Sequence, residues 1–240
     1  MDNSSHFQPH SGIWVPKMIY GTAWKKERTA ELVEKALLHG FVGIDTACQP
    51  KHYNEVGVGQ GLHRAINNGV QRDSLFIQTK FTPVRGQDPN TIPYDPNTAI
   101  AQQIKTSCEV SLRNLGISII DSLVLHSPLP RFEQTMEAWT AMEQLVNMGT
   151  VRQIGISNCY DLSLFEQLFS ASSIPPSVLQ NRFYQKTNYD VSLRRFCKKH
   201  RIVYQSFWTL TANPSLLLSQ PIVTCASKYN KSQNKFCSAT

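Results

Sequence analysis

Phe41-Val-Gly-Ile-Asp-Thr-Ala-Cys-Gln-Pro-Lys-His-Tyr-Asn-Glu55 is the stretch whose reading decides the fold. Its first residues, Phe41 to Ile44, form a short apolar run with the character of a buried strand, and the run stops at a carboxylate, Asp45. A polar loop with a proline follows, then Tyr53, and Asn54-Glu55 opens a helical pattern. An acid closing a strand and a phenol in the next loop contribute little to a core. They suit the mouth of a barrel, where the loops after parallel strands carry function.

Moving outward, the same arrangement recurs. The strand-like run Leu75-Phe-Ile-Gln-Thr ends in Lys80, and Ile120-Asp-Ser-Leu-Val-Leu ends in His126. Upstream, Lys17-Met-Ile-Tyr-Gly-Thr22 is a further strand candidate. Downstream, strands are expected over 153–157, 178–180 and 202–206. Apolar residues at helical spacing predict helices over 27–39, 55–68, 98–115, 134–148, 161–170 and 191–200. Between strand 75–79 and its helix lies a loop, 81–97, with four prolines, long enough to be functional. Residues 1–15 read as a loose N-terminal arm, and 16–240 as one barrel domain.

Seven strand–helix alternations admit two architectures, an open doubly wound sheet or a closed (β/α)8 barrel. A doubly wound dinucleotide domain carries G-x-G-x-x-G after its first strand. Gly57-Val-Gly-Gln-Gly61 has different spacing and falls inside the second helical stretch, where glycines loosen or pack a helix. The expectation is therefore α/β, a (β/α)8 TIM barrel.

Composition narrows the function. The apolar share of 41% and charged share of 17% describe a globular chain. Lys+Arg 24 against Asp+Glu 17 gives net +7, but the basic residues are scattered, which suits a solvated face or a pull on an anionic cofactor and argues against nucleic acid. Six separated cysteines without a C-x-x-C pair suggest free thiols and no metal site. With no apolar leader and no run of about 18 apolar residues, a cytoplasmic protein without membrane contact is expected.

Asp45, Tyr53, Lys80 and His126 are the ionisable groups to be brought together. A free phenol titrates near pH 10. An ammonium beside it, held by Asp45, is expected to lower that value until the phenol can hand over a proton. His126 then donates a hydrogen bond to a substrate oxygen. This set suits reduction of a carbonyl, with hydride supplied by a cofactor. Trp24 and Trp208, after strand ends, are candidates for the substrate pocket with His126, and Trp139, mid-helix, reads as core.

Gly43-Ile-Asp-Thr-Ala47 with Asn54-Glu55, Thr79-Lys80, Leu123-Val-Leu-His-Ser-Pro128, Gly155-Ile-Ser-Asn158 and Val178-Leu-Gln180 resemble, in order, the motifs of the aldo-keto reductases over about residues 18–210. The resemblance implies reduction of an aldehyde or ketone with NADPH, Tyr53 as general acid, Asp45 and Lys80 as its partners and His126 as substrate orienter. It also implies a nicotinamide site of Ser157, Asn158 and Gln180, with Phe207 stacked on the ring and Gly21, Thr22 and Asp45 as further cofactor contacts.

Two departures from the family pattern stand out. Tyr53 lies eight residues after Asp45, where the family has five, and His52 occupies the tyrosine's usual offset from Asn-Glu, so His52 is the alternative acid. The second concerns the C-terminal part. Residues 215–230 resemble the seventh helix, and no apolar run is left after them for an eighth strand, unless Pro221-Ile-Val-Thr-Cys-Ala226, within that stretch, serves as one. A barrel truncated before that strand, without the loop that grips the cofactor's 2′-phosphate, is the expectation. It carries two consequences: an open sheet edge through which chains would oligomerise, and an alternative function as a catalytically impaired or silent barrel that acts as a binding protein.

Overall fold

The computed structural model describes residues 5–233. Seven strands alternate with helices: β1 (Ile19–Gly21), β2 (Gly43–Asp45), β3 (Phe76–Phe81), β4 (Ser122–Leu125), β5 (Ile154–Ser157), β6 (Val178–Arg182) and β7 (Val203–Phe207). All are parallel, and each pairs with the strand before it, in one sheet ordered β1 to β7. Helices α1 (Thr29–Leu38), α2 (Glu55–Asn67), α3 (Ile100–Leu115), α4 (Phe132–Asn147), α5 (Leu162–Ala171) and α6 (Val191–Lys199) form the crossovers. The sheet curls so that side chains of β3 and β7 meet: the Gln78 and Gln205 amides bond reciprocally, at 2.7 and 3.1 Å.

The period-2 alternation of the strands sorts their side chains. Ile44, Ile77, Leu123, Leu125, Ile154, Ile156 and Leu179 are buried in the two apolar clusters that the sheet shares with the helices. Asp45, Gln78, Lys80, Gln180 and Gln205 point the other way and touch one another inside the curl. The interior of this sheet is therefore polar, and its apolar core lies outside, under the helices. Trp139 belongs to that core and is fully buried.

Helix ends follow local chemistry. Asn54 caps α2 by accepting from the Gly57 amide at 2.9 Å, and Gly116, at φ 67°, closes α3 in the left-handed conformation that glycine adopts without strain. Gly59 serves packing: a Cβ there would lie 2.3 Å from the Asn114 carbonyl oxygen, so the glycine lets α2 press against α3.

Two segments differ from the sequence expectations. The N-terminal arm is pinned at the base of the sheet. His6–Phe7 pairs antiparallel with Val15–Pro16, His10 Nε2 lies 2.9 Å from the Pro176 carbonyl oxygen, and the Ser11 hydroxyl donates to Gln153 at 2.7 Å. The strand pairing is local but only two residues long on each side, and the other two bonds are long-range, so local periodicity does not announce them. Residues 221–226 are helical, not a strand. The expected last helix splits into α7 (Pro214–Leu217) and α8 (Gln220–Lys228) because Pro221, lacking an N–H, restarts a helix at its first turn and cannot continue one. Among the described residues there is no eighth strand, so β1 and β7 are the outer strands of the sheet. The residues after 233, Cys237 included, lie outside the described part; the other five cysteines are free thiols.

Candidate active site

The site forms where the strands end. Backbone bonds carry the ladder past the strands to the mouth: Thr46 N to Gln78 O, Cys48 N to Lys80 O, His126 N to Phe81 O and Asn158 N to Gln180 O, at 2.9 to 3.1 Å. Each candidate side chain thus leaves a backbone already fixed by its neighbour.

Asp45 and Lys80 form the centre. The Lys80 ammonium is buried, 2.7 Å from Asp45 Oδ2 and 2.7 Å from the Thr46 carbonyl oxygen. Burial, the largest single influence, pushes the ammonium toward neutrality, but the charge and hydrogen bond of Asp45 together with Tyr53 and Glu55 outweigh it, and the Lys80 pKa lies above its ordinary value. Lys80 is therefore a permanent cation. The other Asp45 oxygen, Oδ1, accepts from Gln78 at 2.7 Å, which leaves the carboxylate no freedom to rotate.

Tyr53 reaches this cation through a turn. The Tyr53 and His52 amides both bond back to the Gln49 carbonyl, at 3.0 and 3.1 Å, which curls the longer loop over the mouth. The loop is tied in turn to the one after β3: Gln49 donates to the Gly86 carbonyl at 2.6 Å, and Gln87 donates to that of Cys48 at 2.9 Å. Lys80 Nζ ends 5.1 Å from the Tyr53 ring centre, and the His126 ring meets the Tyr53 ring edge-on at 6.1 Å. The sequence expectation of a lowered phenol pKa does not hold: burial raises it, and the opposing pull of Lys80 offsets that only in part. The phenol stays protonated at neutral pH. His126 is held the other way. Burial first, then the Lys80 charge, depresses its pKa to about 3, so the ring is neutral.

The structure brings Asp45, Tyr53, Lys80 and His126 together and turns His52 elsewhere. The His52 ring packs at a tilt against Trp24, with centres 3.9 Å apart, and its buried Nδ1 has no partner among the described residues. Trp24 and Trp208 are both half exposed at the mouth and both adopt positive φ, 63° and 55°. Gly21 is exposed at the end of β1, while Thr22 is buried with its hydroxyl on the Asp45 carbonyl at 2.9 Å.

At the ends of β5 to β7 lies a second group. Ser157 donates to the Gln180 carbonyl at 2.7 Å, and Asn158 Nδ2 donates to the His126 carbonyl at 2.8 Å. Gln180 Nε2 donates to Gln205 at 3.0 Å, and its Oε1 has no partner among the described residues. Phe207 is partly exposed and meets Trp208 edge-on at 6.4 Å.

Sequence reasoning misses Gln78, Thr82 and Gln205. All three have the strand parity of a residue it does find: Gln78 and Thr82 sit two positions either side of Lys80, and Gln205 sits two before Phe207. Period 2 counted from Lys80 is the signal that locates the first two.

The Aldo/keto reductase family model matches residues 14–217. YtbE of Bacillus subtilis, described as an uncharacterized oxidoreductase, is 31% identical over 227 residues, 93% of this chain and 74% of the relative. Glyoxal reductase of the same organism is 30% identical over 226 residues, 93% of this chain and 73% of the relative. A Bombyx mori aldo-keto reductase solved in complex with NADP superposes with a TM-score of 0.80 at 25% identity, over 97% of this chain and 78% of that one. By the family match over most of its length, this chain belongs to the aldo/keto reductases, oxidoreductases that interconvert carbonyls and alcohols.

Proposed function

We propose that this chain reduces an aldehyde or ketone to the alcohol with hydride from NADPH, Tyr53 giving the proton. The observation that carries the reading is the Lys80 ammonium, fixed by Asp45 at 2.7 Å and facing the Tyr53 ring at 5.1 Å. A protonated phenol is the form a general acid needs. The adjacent cation stabilises the phenolate left when the carbonyl oxygen takes the proton. His126, neutral and beside the phenol, orients that oxygen by donating a hydrogen bond. Trp24 and Trp208 offer apolar faces for the rest of the substrate.

The residues present fit a nicotinamide dinucleotide. A primary carboxamide needs donors and acceptors together, and Ser157, Asn158 and Gln180 supply both, with Gln180 Oε1 unengaged. Phe207 is the partly exposed aromatic face beside them, and Gly21, Thr22 and Asp45 flank the same mouth. When bound, the cofactor supplies the hydride. NADPH is favoured by the NADP found in the Bombyx mori relative. The gathered quartet favours this enzyme over a catalytically silent binding protein.

The test follows NADPH oxidation with a reactive aromatic aldehyde. Tyr53→Phe is expected to lower kcat by about 100-fold or more while NADPH still binds. His52→Ala is expected to retain turnover. Undiminished turnover in Tyr53→Phe overturns the assignment.

A further inference from the structure

We propose that Thr82 is a positioning residue, fixing the His126 imidazole in the tautomer that carries its proton on Nε2 and so faces the substrate oxygen as a donor. The inference rests on the reading of His126 given above, and adds a residue and a proton position to it.

The argument is a count of protons. Thr82 Oγ1 lies 2.6 Å from His126 Nδ1, a short contact between two partly to fully buried groups. Oγ1 has no other hydrogen-bond partner among the described residues, and Thr82 is 3% exposed. A hydroxyl has one proton to give, and a neutral imidazole has one N–H. If Nδ1 held the ring proton, Thr82 would have to accept, and its own O–H would be buried with nothing to donate to. An unmade buried donor is the costly arrangement. If Thr82 donates, Nδ1 accepts, both groups are satisfied, and the ring proton is left on Nε2. Nε2 makes no hydrogen bond to the described residues and is available to a ligand.

Thr82 is itself unable to drift. Its carbonyl accepts from the Tyr94 hydroxyl at 2.6 Å and from Gln87 Nε2 at 3.2 Å, both on the loop that covers the mouth. The His126 backbone is held from both sides, its amide on the Phe81 carbonyl at 2.9 Å and its carbonyl by Asn158 at 2.8 Å. The end of β3 therefore controls both proposed proton-handling groups, Tyr53 through Lys80 and His126 through Thr82.

The experiment is nitrogen NMR of the histidine-labelled full chain without cofactor, paired with kinetics of Thr82→Val and Thr82→Ser. In the wild type, His126 is expected to show an unprotonated, hydrogen-bonded Nδ1 and a protonated Nε2. Thr82→Val removes the bond that favours the neutral ring, so His126 should titrate at higher pH. Its kcat should fall about tenfold with NADPH affinity unchanged, and Thr82→Ser should restore both. A wild-type Nδ1 carrying the proton overturns the inference, whether or not Thr82→Val folds. So does a Thr82→Val protein whose ring titrates as the wild type does or whose kcat is unaltered. Full turnover in His126→Ala would defeat the underlying catalytic reading instead, and would leave the tautomer itself to be decided by the spectra.

Discussion

Around Lys80, each side chain is held in the protonation state that its neighbours impose. The buried ammonium persists because Asp45 lies 2.7 Å away, and the same charge keeps His126 neutral, with burial as the larger cause. This has a consequence for stability. Once unfolded, His126 regains its ordinary pKa of 6.5 and takes up a proton below that pH, while the folded ring stays neutral down to about 3. The unfolded state thus binds more protons across this window, and stability must fall as pH drops through it. The contribution is up to roughly 1.4 kcal/mol for each pH unit. His126→Gln should flatten the acid side of the stability profile, as measured by urea unfolding at several pH values between 6.5 and about 3. A mutant profile as steep as the wild type's would mean that His126 is not the group responsible.

Among the elements, α2 is the most constrained. It lies between α1 and α3, and a Cβ on Gly61 would sit 2.7 Å from the Ala30 carbonyl oxygen, as one on Gly59 would meet Asn114. Gly59→Ala gains about 1 kcal/mol of helix propensity. The clash with backbone outweighs this, and the substitution is expected to destabilise by about 1–3 kcal/mol. Denaturant unfolding measures it; a stabilised variant would show that α3 yields. The same helix shows what sequence can and cannot reveal. The spacing of Gly57, Gly59 and Gly61 argues against a phosphate loop, and the structure gives Gly59 and Gly61 their use in packing. The strands and six crossover helices were legible because each has a strong apolar period and a clear stop, as at Gly116. The N-terminal hairpin was not, because its strands are two residues long, too short for a period, and the bonds that pin its loop reach more than a hundred residues away, to Gln153 and Pro176. Within the site, strand ends mark Asp45, Lys80 and His126, and Tyr53, despite its shifted spacing, lies beside the last two. Thr82 and the two glutamines escaped because a neutral polar residue in a strand normally signals a solvated face. The phenol's pKa went the wrong way because burial, the larger influence, cannot be read from neighbours in the chain.

For the molecule as a whole, the polar interior matters most. Gln205 accepts from Gln78 and from Gln180, and returns a bond to Gln78, linking β3, β6 and β7 across the curl. Through Gln78 this chain of amides ends on Asp45. Gln205→Leu would leave the amides of Gln78 and Gln180 short of partners inside the sheet. An unmade buried bond costs about 1–3 kcal/mol, and a lower Tm in thermal unfolding is the expected result. An unchanged Tm would show that water replaces the missing amide.

The strictly sequential strand order has a further consequence, for how the molecule comes into being. Since β2 to β7 each lie beside the strand made just before, every new unit leaving the ribosome finds its template already in place. Each pairing closes a crossover of about 20 to 40 residues, and the sequential order spares the chain any longer closure within the sheet. The contacts between the first and last thirds of the chain include the amide exchange between Gln78 and Gln205 and the bond from His10 to Pro176. Synthesis and folding thus run in the same direction, and the paired charges of Asp45 and Lys80 on β2 and β3 are set down before most of the sheet exists.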